Sequence, residues 1–319
     1  MTSDWQPSAS LDIIWQRAEY YKTIRRFMEE RDIMEVQTPI FSNSGNTDPN
    51  LSSFNTHFHS PNDKNPITFY LNTSPEFAMK RLLAAGSGSI YQICKVFRDH
   101  EAGIHHQPEF TMLEWYRLGY DHHQLMDELS ELLSIFGYHS VERMLYSDVF
   151  ESCTGLHPHL ADTNTLFEQA KYYGLETNTV DRGLLLDFIF TQSIAPALSG
   201  DKAVILFDFP ACQASLARIR NDNYPVAERF ELFIDGVEIA NGFHELCDAK
   251  EQMSRFEEDN RKRKIKGQNE MPIDKHLVNS LEHGLPECAG IAVGLDRLFM
   301  KMKGCNSIEE VVTFSYLNC

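Results

Sequence analysis

The chain has 319 residues, 42% of them apolar and 24% charged, and 29 basic against 46 acidic side chains give a formal charge of −17. That balance argues against broad nucleic-acid binding, because neutralising phosphates needs concentrated Lys and Arg. No long apolar run and no signal-peptide pattern over Met1 to Leu11 is visible, so a soluble, cytoplasmic protein without a membrane span is expected. Seven cysteines, odd in number and without a CxxC pair, indicate neither a disulfide framework nor a zinc site and read as reduced, mostly buried thiols.

From Ile13 to Glu30 the apolar positions Ile14, Ala18, Tyr21, Ile24 and Phe27 recur at helical spacing, and an extended segment follows to Pro39. Asn43 to Asn65 reads as loop or short hairpin, Phe69 to Leu71 as a short strand, and Ser74-Pro75-Glu76 as the capped start of a helix to about Ala85. Ile90 to Phe97 and Phe110 to Leu118 predict an antiparallel pair joined by the long polar loop Arg98 to Glu109. Asp121 to Phe136 predicts a helix, and Leu156 to Gly200 reads as mainly helical on weak signals. Ala203 to Phe209 is a buried-strand candidate, and Arg229 to Ile239 a hairpin around Asp235-Gly236, a type I′ signal. Asp248 and Glu251 cap a helix carrying the basic run Arg261 to Lys266, read as a solvated face or else a docking patch. A helix from Lys275 stops at Gly284, and Gly290 to Leu295 is a strand entering a helix at about Asp296. No repeat or linker is visible, so residues 1–319 are expected to form one α+β domain.

Alternation along Phe110 to Leu118 places Glu114 beside Tyr116 on one face, and Arg98 ends the preceding strand with a guanidinium suited to phosphate or carboxylate. Taken alone, that arginine and glutamate also read as a structural ion pair. In the second hairpin a two-residue turn pairs Phe233 with Glu238 and Glu231 with Ala240, setting Glu231 and Glu238 diagonally on one face. Spacing leaves open whether they share a magnesium ion or merely face solvent. Asn241, Phe243 and Glu245 have the opposite parity, and a bulge at Gly242 would be needed to bring them to the same side. His105-His106 and His122-His123 lack ligand spacing on one helix face and are not read as metal sites.

Phe97-Arg98, Pro108 through Tyr116, Phe230 through Leu246 and Gly294-Leu295-Asp296-Arg297 together resemble class II lysyl-tRNA synthetases over nearly the whole chain. The resemblance implies an antiparallel six- to seven-stranded sheet flanked by helices and a dimer-forming first helix. Arg98 would hold the α-phosphate of ATP and the amino-acid carboxylate, and Arg297 the γ-phosphate, as the catalytic pair. Asp99, His100, Gln107, Ile239 and Gly294 would complete the ATP site, and Glu231 with Glu238 would hold Mg²⁺. Ser74, Pro75, Glu76, Glu114 and Tyr116, with Asn241, Phe243, Glu245 and Ala292, would line the amino-acid pocket.

Four departures accompany the likeness. Synthetases of this family carry an N-terminal anticodon-reading OB-fold, whereas the first helix begins here by Ile13. That difference, the acidity and the Leu-Glu-Trp-Tyr wording bring the chain nearest to the paralogues that attach (R)-β-lysine to a lysine of elongation factor P, so that protein, and not tRNA, is the expected acceptor. Ala292 stands where the synthetases usually have Gly, and His100 and Gln107 replace a usual Glu and Asn near adenine. Alternatives are a small-molecule or tRNA-charging synthetase and an amino-acid-binding pseudo-synthetase; the latter predicts broken ATP chemistry, yet both arginines and both metal carboxylates are present.

Overall fold

In the computed structural model, which describes residues 5–61, 65–176, 180–200 and 202–319, chain contacts define two units. One comprises Met1–Leu118, Cys247–Glu287 and Ala292–Cys319, the other Gly119–Leu246 and Cys288–Ile291.

The first unit opens with α1 (Leu11–Glu29), capped by the Ser10 hydroxyl, which accepts from the amide of Ile13. Its buried side is Arg17, Tyr20, Ile24, Phe27 and Met28, whereas Ala18 of the expected stripe is exposed. The stripe rotates because Arg17 is drawn inward to an ion pair with Asp296. β1 (Met34–Glu35), β2 (Phe41–Ser42), β3 (Asn55–Phe58) and β4 (Ile67–Leu71) follow, and β2-β4-β3 form a small antiparallel sheet. The expected loop or hairpin over Asn43 to Asn65 thus holds β3; residues 62–64 lie outside the described residues. After α2 (Glu76–Ala84), β5 (Ile90–Phe97) and β6 (Glu109–Leu118) pair antiparallel as expected, while β1 pairs parallel with β5.

The second unit begins with α3 (His122–Ile135), whose Asp121 and Gln124 form a reciprocal capping box. β7 (Val141–Leu145), α4 (Tyr146–Thr154), α5 (Thr163–Tyr172) and α6 (Arg182–Ile189) come next, then a π-helical stretch over Phe190–Ile194 and the short α7 (Ala195–Ala197). Leu156 to Gly200 is therefore mainly helical where described, with residues 177–179 outside the described set. β8 (Ala203–Pro210), β9 (Ile219–Asn221), β10 (Pro225–Ile234) and β11 (Val237–His244) complete the unit, in the order β11-β10-β8-β7 with β9 beside β10. β7 pairs parallel with β8 and the other pairs are antiparallel. The near-continuous apolar run of β8 is buried on both faces, as such runs require. Tyr146, Phe150, Leu185, Ile189 and Phe233 belong to one apolar core.

Back in the first unit, α8 (Ala249–Ile265) is capped by Asp248, and α9 (Lys275–Gly284) ends at the expected glycine. The basic run is not simply a solvated face. Arg263 is buried and donates to the carbonyls of Asn269 and Asp48, tying loops to α8. β12 (Cys288–Gly294) contributes to both units, and α10 (Leu295–Met302) follows it. All seven cysteines are free, but only Cys288 is buried, so the expectation of mostly buried thiols is corrected. No described helix is long and apolar enough to cross a membrane.

Candidate active site

In the first unit, β5 and β6 run in register from Ile90↔Tyr116 to Phe97↔Glu109, with Gln92 opposite Glu114. Period-two alternation puts Glu114 and Tyr116 on one face, and the Tyr116 hydroxyl donates to Glu114 Oε1 at 2.6 Å. The Ser74 hydroxyl donates to Oε2, also at 2.6 Å, and accepts from the amide of Glu76 at 2.9 Å. One serine therefore holds the first amide of α2 and orients Glu114, which is 2% exposed. Pro75, expected as the first helical residue, is the N-cap instead. Glu76 pairs with the buried Lys80 at 2.6 Å.

Arg98 follows the last residue of β5. Its guanidinium lies over Phe110 at 5.1 Å and 3.8 Å from Glu101. Its Nε is buried without a hydrogen-bond partner among the described residues. A buried unpartnered cationic donor is costly unless an anion meets it, so Arg98 fits an absent phosphate or carboxylate. Asp99 accepts from the amide of His100, which sits at φ +66° with its side chain exposed. Gln107 is buried, and its Oε1 accepts from the amide of Tyr316, which fastens it to the C-terminal segment. At the end of β12, Ala292 and Gly294 are half-buried, and Gly294 caps α10. Arg297, in the first turn of α10, donates from Nε to the carbonyl of His105 in the loop between β5 and β6.

A network that the sequence reading missed surrounds Arg297. Asp296, 1% exposed, pairs with Arg17 of α1 and accepts from the amide of Thr111 at 2.9 Å. Arg17 also donates to Thr111 Oγ1 and to the carbonyl of Val311. This ties α10 to β6 one residue before Arg297. Its position at i+3 from Ile14, on the apolar stripe, was the available signal.

In the second unit, Asp235 and Gly236 both have positive φ, +50° and +68°, the mark of the type I′ turn expected of that pair. Beyond the turn the register departs from expectation. Phe233 faces Glu238 as foreseen, but Leu232 faces Ala240 and Glu231 faces Asn241, because Ile239 is an extra residue between them. The bulge thus lies at Ile239 and not at Gly242. One extra residue reverses parity, so Glu238 before it and Asn241, Phe243 and Glu245 after it share the face of Glu231.

Arg229, another residue missed, lies on that face two residues before Glu231. It forms an ion pair with Glu231 and donates to Asn241 Oδ1 at 3.2 Å and to the Gln213 carbonyl at 2.6 Å. Glu231 is 8% exposed and Glu238 is exposed. Burial, with Glu238 adding to it against the pull of Arg229, pushes the Glu231 carboxyl up to about 7. A buried carboxylate whose ionisation is opposed by burial, with a second acid on the same face, fits a divalent cation, which relieves both the desolvation and the repulsion. Glu245, 1% exposed, is held through its amide by the carbonyl of Cys288. On the opposite face, Gly242 lies under the ring of its cross-strand partner Phe230.

Comparison with known proteins shows the family of the chain. The family described as tRNA synthetases class II (D, K and N) matches residues 3–318. A protein named elongation factor P–(R)-β-lysine ligase from Pasteurella multocida (strain Pm70) is 46% identical over 317 residues, covering 99% of this chain and 98% of that protein. One of the same name from Vibrio parahaemolyticus is 46% identical over 320 residues, 99% of each chain. A third, from Yersinia enterocolitica, is 46% identical over 317 residues and 98% of each. The chain belongs to the class II tRNA synthetases of the D, K and N type and, within them, to the branch of the elongation factor P–(R)-β-lysine ligases.

Proposed function

We propose that residues 1–319 act as one catalytic domain that activates (R)-β-lysine with ATP as an adenylate and transfers it to the ε-amine of a lysine on elongation factor P, not to tRNA. The observation that carries this reading is the bulge at Ile239, which gives Glu231, Glu238, Asn241, Phe243 and Glu245 a common face. The relatives' shared name supports the choice of amino acid and acceptor.

Arg98, whose buried Nε has no hydrogen-bond partner among the described residues, would take the α-phosphate and the substrate carboxylate. Arg297, braced by the neighbouring Asp296, would take the γ-phosphate, with Asp99, His100, Gln107, Ile239 and Gly294 completing the nucleotide site. Glu231 and Glu238 would hold Mg²⁺, which supplies positive charge to the phosphates. Glu76, Glu114 and Glu245 would receive the substrate's ammonium groups, alongside Ser74, Pro75, Tyr116, Asn241 and Phe243. A buried acid paired with an ammonium discriminates strongly, because an analogue lacking the amine leaves the acid unpaired. Ala292 in place of glycine would reshape the pocket floor for the displaced amine of a β-amino acid.

Positioning and fixed positive charge supply the catalysis, so no protein nucleophile is required. The substrate carboxylate attacks the α-phosphate in line and pyrophosphate leaves; the deprotonated acceptor amine then attacks the acyl carbon, the acyl–phosphate C–O bond breaks, and an amide and AMP result. We further propose a homodimer through α1, where Leu11 and Trp15 remain exposed; a monomer by light scattering refutes it. The deciding experiment incubates the protein with ATP, Mg²⁺ and either (R)-β-lysine or α-lysine, offers elongation factor P or tRNA, and weighs the acceptors. A one-residue gain on elongation factor P alone, greater with the β-isomer, is expected. Charged tRNA, or pyrophosphate release with neither acceptor modified, overturns the acceptor assignment.

A further inference from the structure

On the face of the β10–β11 hairpin opposite Glu231, beneath α3, lies a second group of ligating side chains. Phe243 pairs with Arg229 in the ladder, so the next residues, His244 and Glu228, meet on the reverse face, and His244 Nδ1 lies 2.6 Å from Glu228 Oε2. The first turn of α3 brings His122, whose ring stacks with that of His244 at a centroid distance of 6.5 Å. One donor atom from each of His122, Glu228 and His244 lies within 4.8 Å of the others. No two of these three residues sit on one helix face, which is why spacing in the sequence hides the group.

The surroundings prepare His122 in particular. Its Nε2 stands 3.2 Å from Asp208 Oδ1, and Asp208 is in turn gripped through both oxygens by Arg220. A carboxylate at Nε2 holds the imidazole proton there, leaving Nδ1 with its lone pair. His122 is 2% exposed, and Nδ1 is buried without a hydrogen-bond partner among the described residues. A carboxylate behind one ring nitrogen and a buried acceptor at the other is how metal-binding histidines are oriented. Arg220 is shared among Asp208, Asp222 and Glu228, the last at 3.8 Å, so one cation faces three carboxylates and net negative charge remains beside the ligand atoms.

We propose that His122, Glu228 and His244 form a divalent-metal site distinct from the Glu231–Glu238 pair, and that its ion is zinc. Two imidazoles and one carboxylate are a ligand set that zinc accepts, with a fourth position left for water. Magnesium and calcium prefer all-oxygen shells. The ion would pin the start of α3 to the reverse side of the hairpin that carries Glu231 and Asn241.

The test strips the full-length protein with a chelator, exchanges the buffer and titrates it with zinc chloride, without ATP or magnesium, by calorimetry and X-ray absorption. One equivalent is expected, with a nitrogen and oxygen shell at about 2.0–2.1 Å. His122→Gln and His244→Gln should abolish binding, Asp208→Asn should weaken it about 10–100-fold, and Glu231→Gln should leave it unchanged. No binding, a sulfur shell at about 2.3 Å that would place zinc on cysteines, or loss with Glu231→Gln overturns the site. So does unaltered affinity in both histidine variants. The absorption measurement on the unaltered protein decides the matter even if those variants fail to fold.

Discussion

Gly242→Ala tests whether the register of the β10–β11 hairpin is locked by an aromatic ring lying on a glycine. A Cβ at position 242 would stand 2.5 Å from Phe230 Cε1, closer still to Cζ, and 3.1 Å from Cε2. Carbon atoms settle at about 3.5–4.0 Å, so the ring or the strand must retreat by roughly 1 Å. Phe230 is fully buried and cannot simply swing into solvent. Overpacking of this kind costs about 1–3 kcal/mol, and it falls between Asn241 and Phe243. If β11 positions substrate as proposed, a displacement of that size is worth up to about 10²-fold in rate. Urea unfolding followed by circular dichroism should therefore show a lower midpoint with an unchanged slope, and pyrophosphate exchange should slow. Phe230→Leu removes the obstructing ring atoms, so the double variant should lose less than the sum of the two single losses. A Gly242→Ala midpoint equal to wild type, or strict additivity in the cycle, would refute the packing argument.

Arg98→Ala should reduce ATP–pyrophosphate exchange by at least about 10²–10³-fold, the scale of losing one preorganised charge-stabilising donor. Its unfolding midpoint should move little, because the side chain gives up only a 3.8 Å approach to Glu101 and a cation–π contact with Phe110; undiminished exchange would remove the central assignment. Arg17→Met leaves Asp296 buried and uncompensated, which costs about 3–5 kcal/mol; a thermal-melt shift below 1 °C would show that the pair does not brace α10. The Glu231 carboxyl, raised to about 7 by burial and by Glu238 despite Arg229, binds its proton more tightly folded than unfolded. Its contribution to stability is then full below about 4.3, the ordinary glutamate value, and is lost as pH rises through about 7. Magnesium needs the ionised form, so stabilisation by MgCl₂ should grow between pH 5.5 and 8 and vanish in Glu231→Gln; a pH-independent effect contradicts the assignment.

Much of the chain's local structure was legible because it depends on neighbours in sequence. β5 and β6, α3 and the type I′ turn at Asp235-Gly236 follow from alternation, helical spacing of apolar residues and residues that tolerate positive φ. The placement of Glu114 beside Tyr116 follows from alternation alone, and their hydrogen bond bears it out. What failed was the parity of β11. Alternation signalled that one extra residue was required but did not place it: a bulge at Gly242 would move Phe243 and leave Asn241 on the other face, whereas the bulge at Ile239 brings both across.

The sequence by itself determined the elements, the turn and the wording Phe-Arg, Glu-Trp-Tyr and Gly-Leu-Asp-Arg, because dihedral preference, capping and side-chain period act over a few residues. Tertiary structure alone decided that Phe230 lies over Gly242, that Arg17 turns inward to Asp296, that Arg229 braces Glu231 and Asn241, and that His122 meets Glu228 and His244. Apart from Arg229 with Glu231, which are two residues apart on β10, each of those contacts joins positions on different strands or helices. Their energies come from burial and charge pairing across space, which no periodicity along the chain encodes.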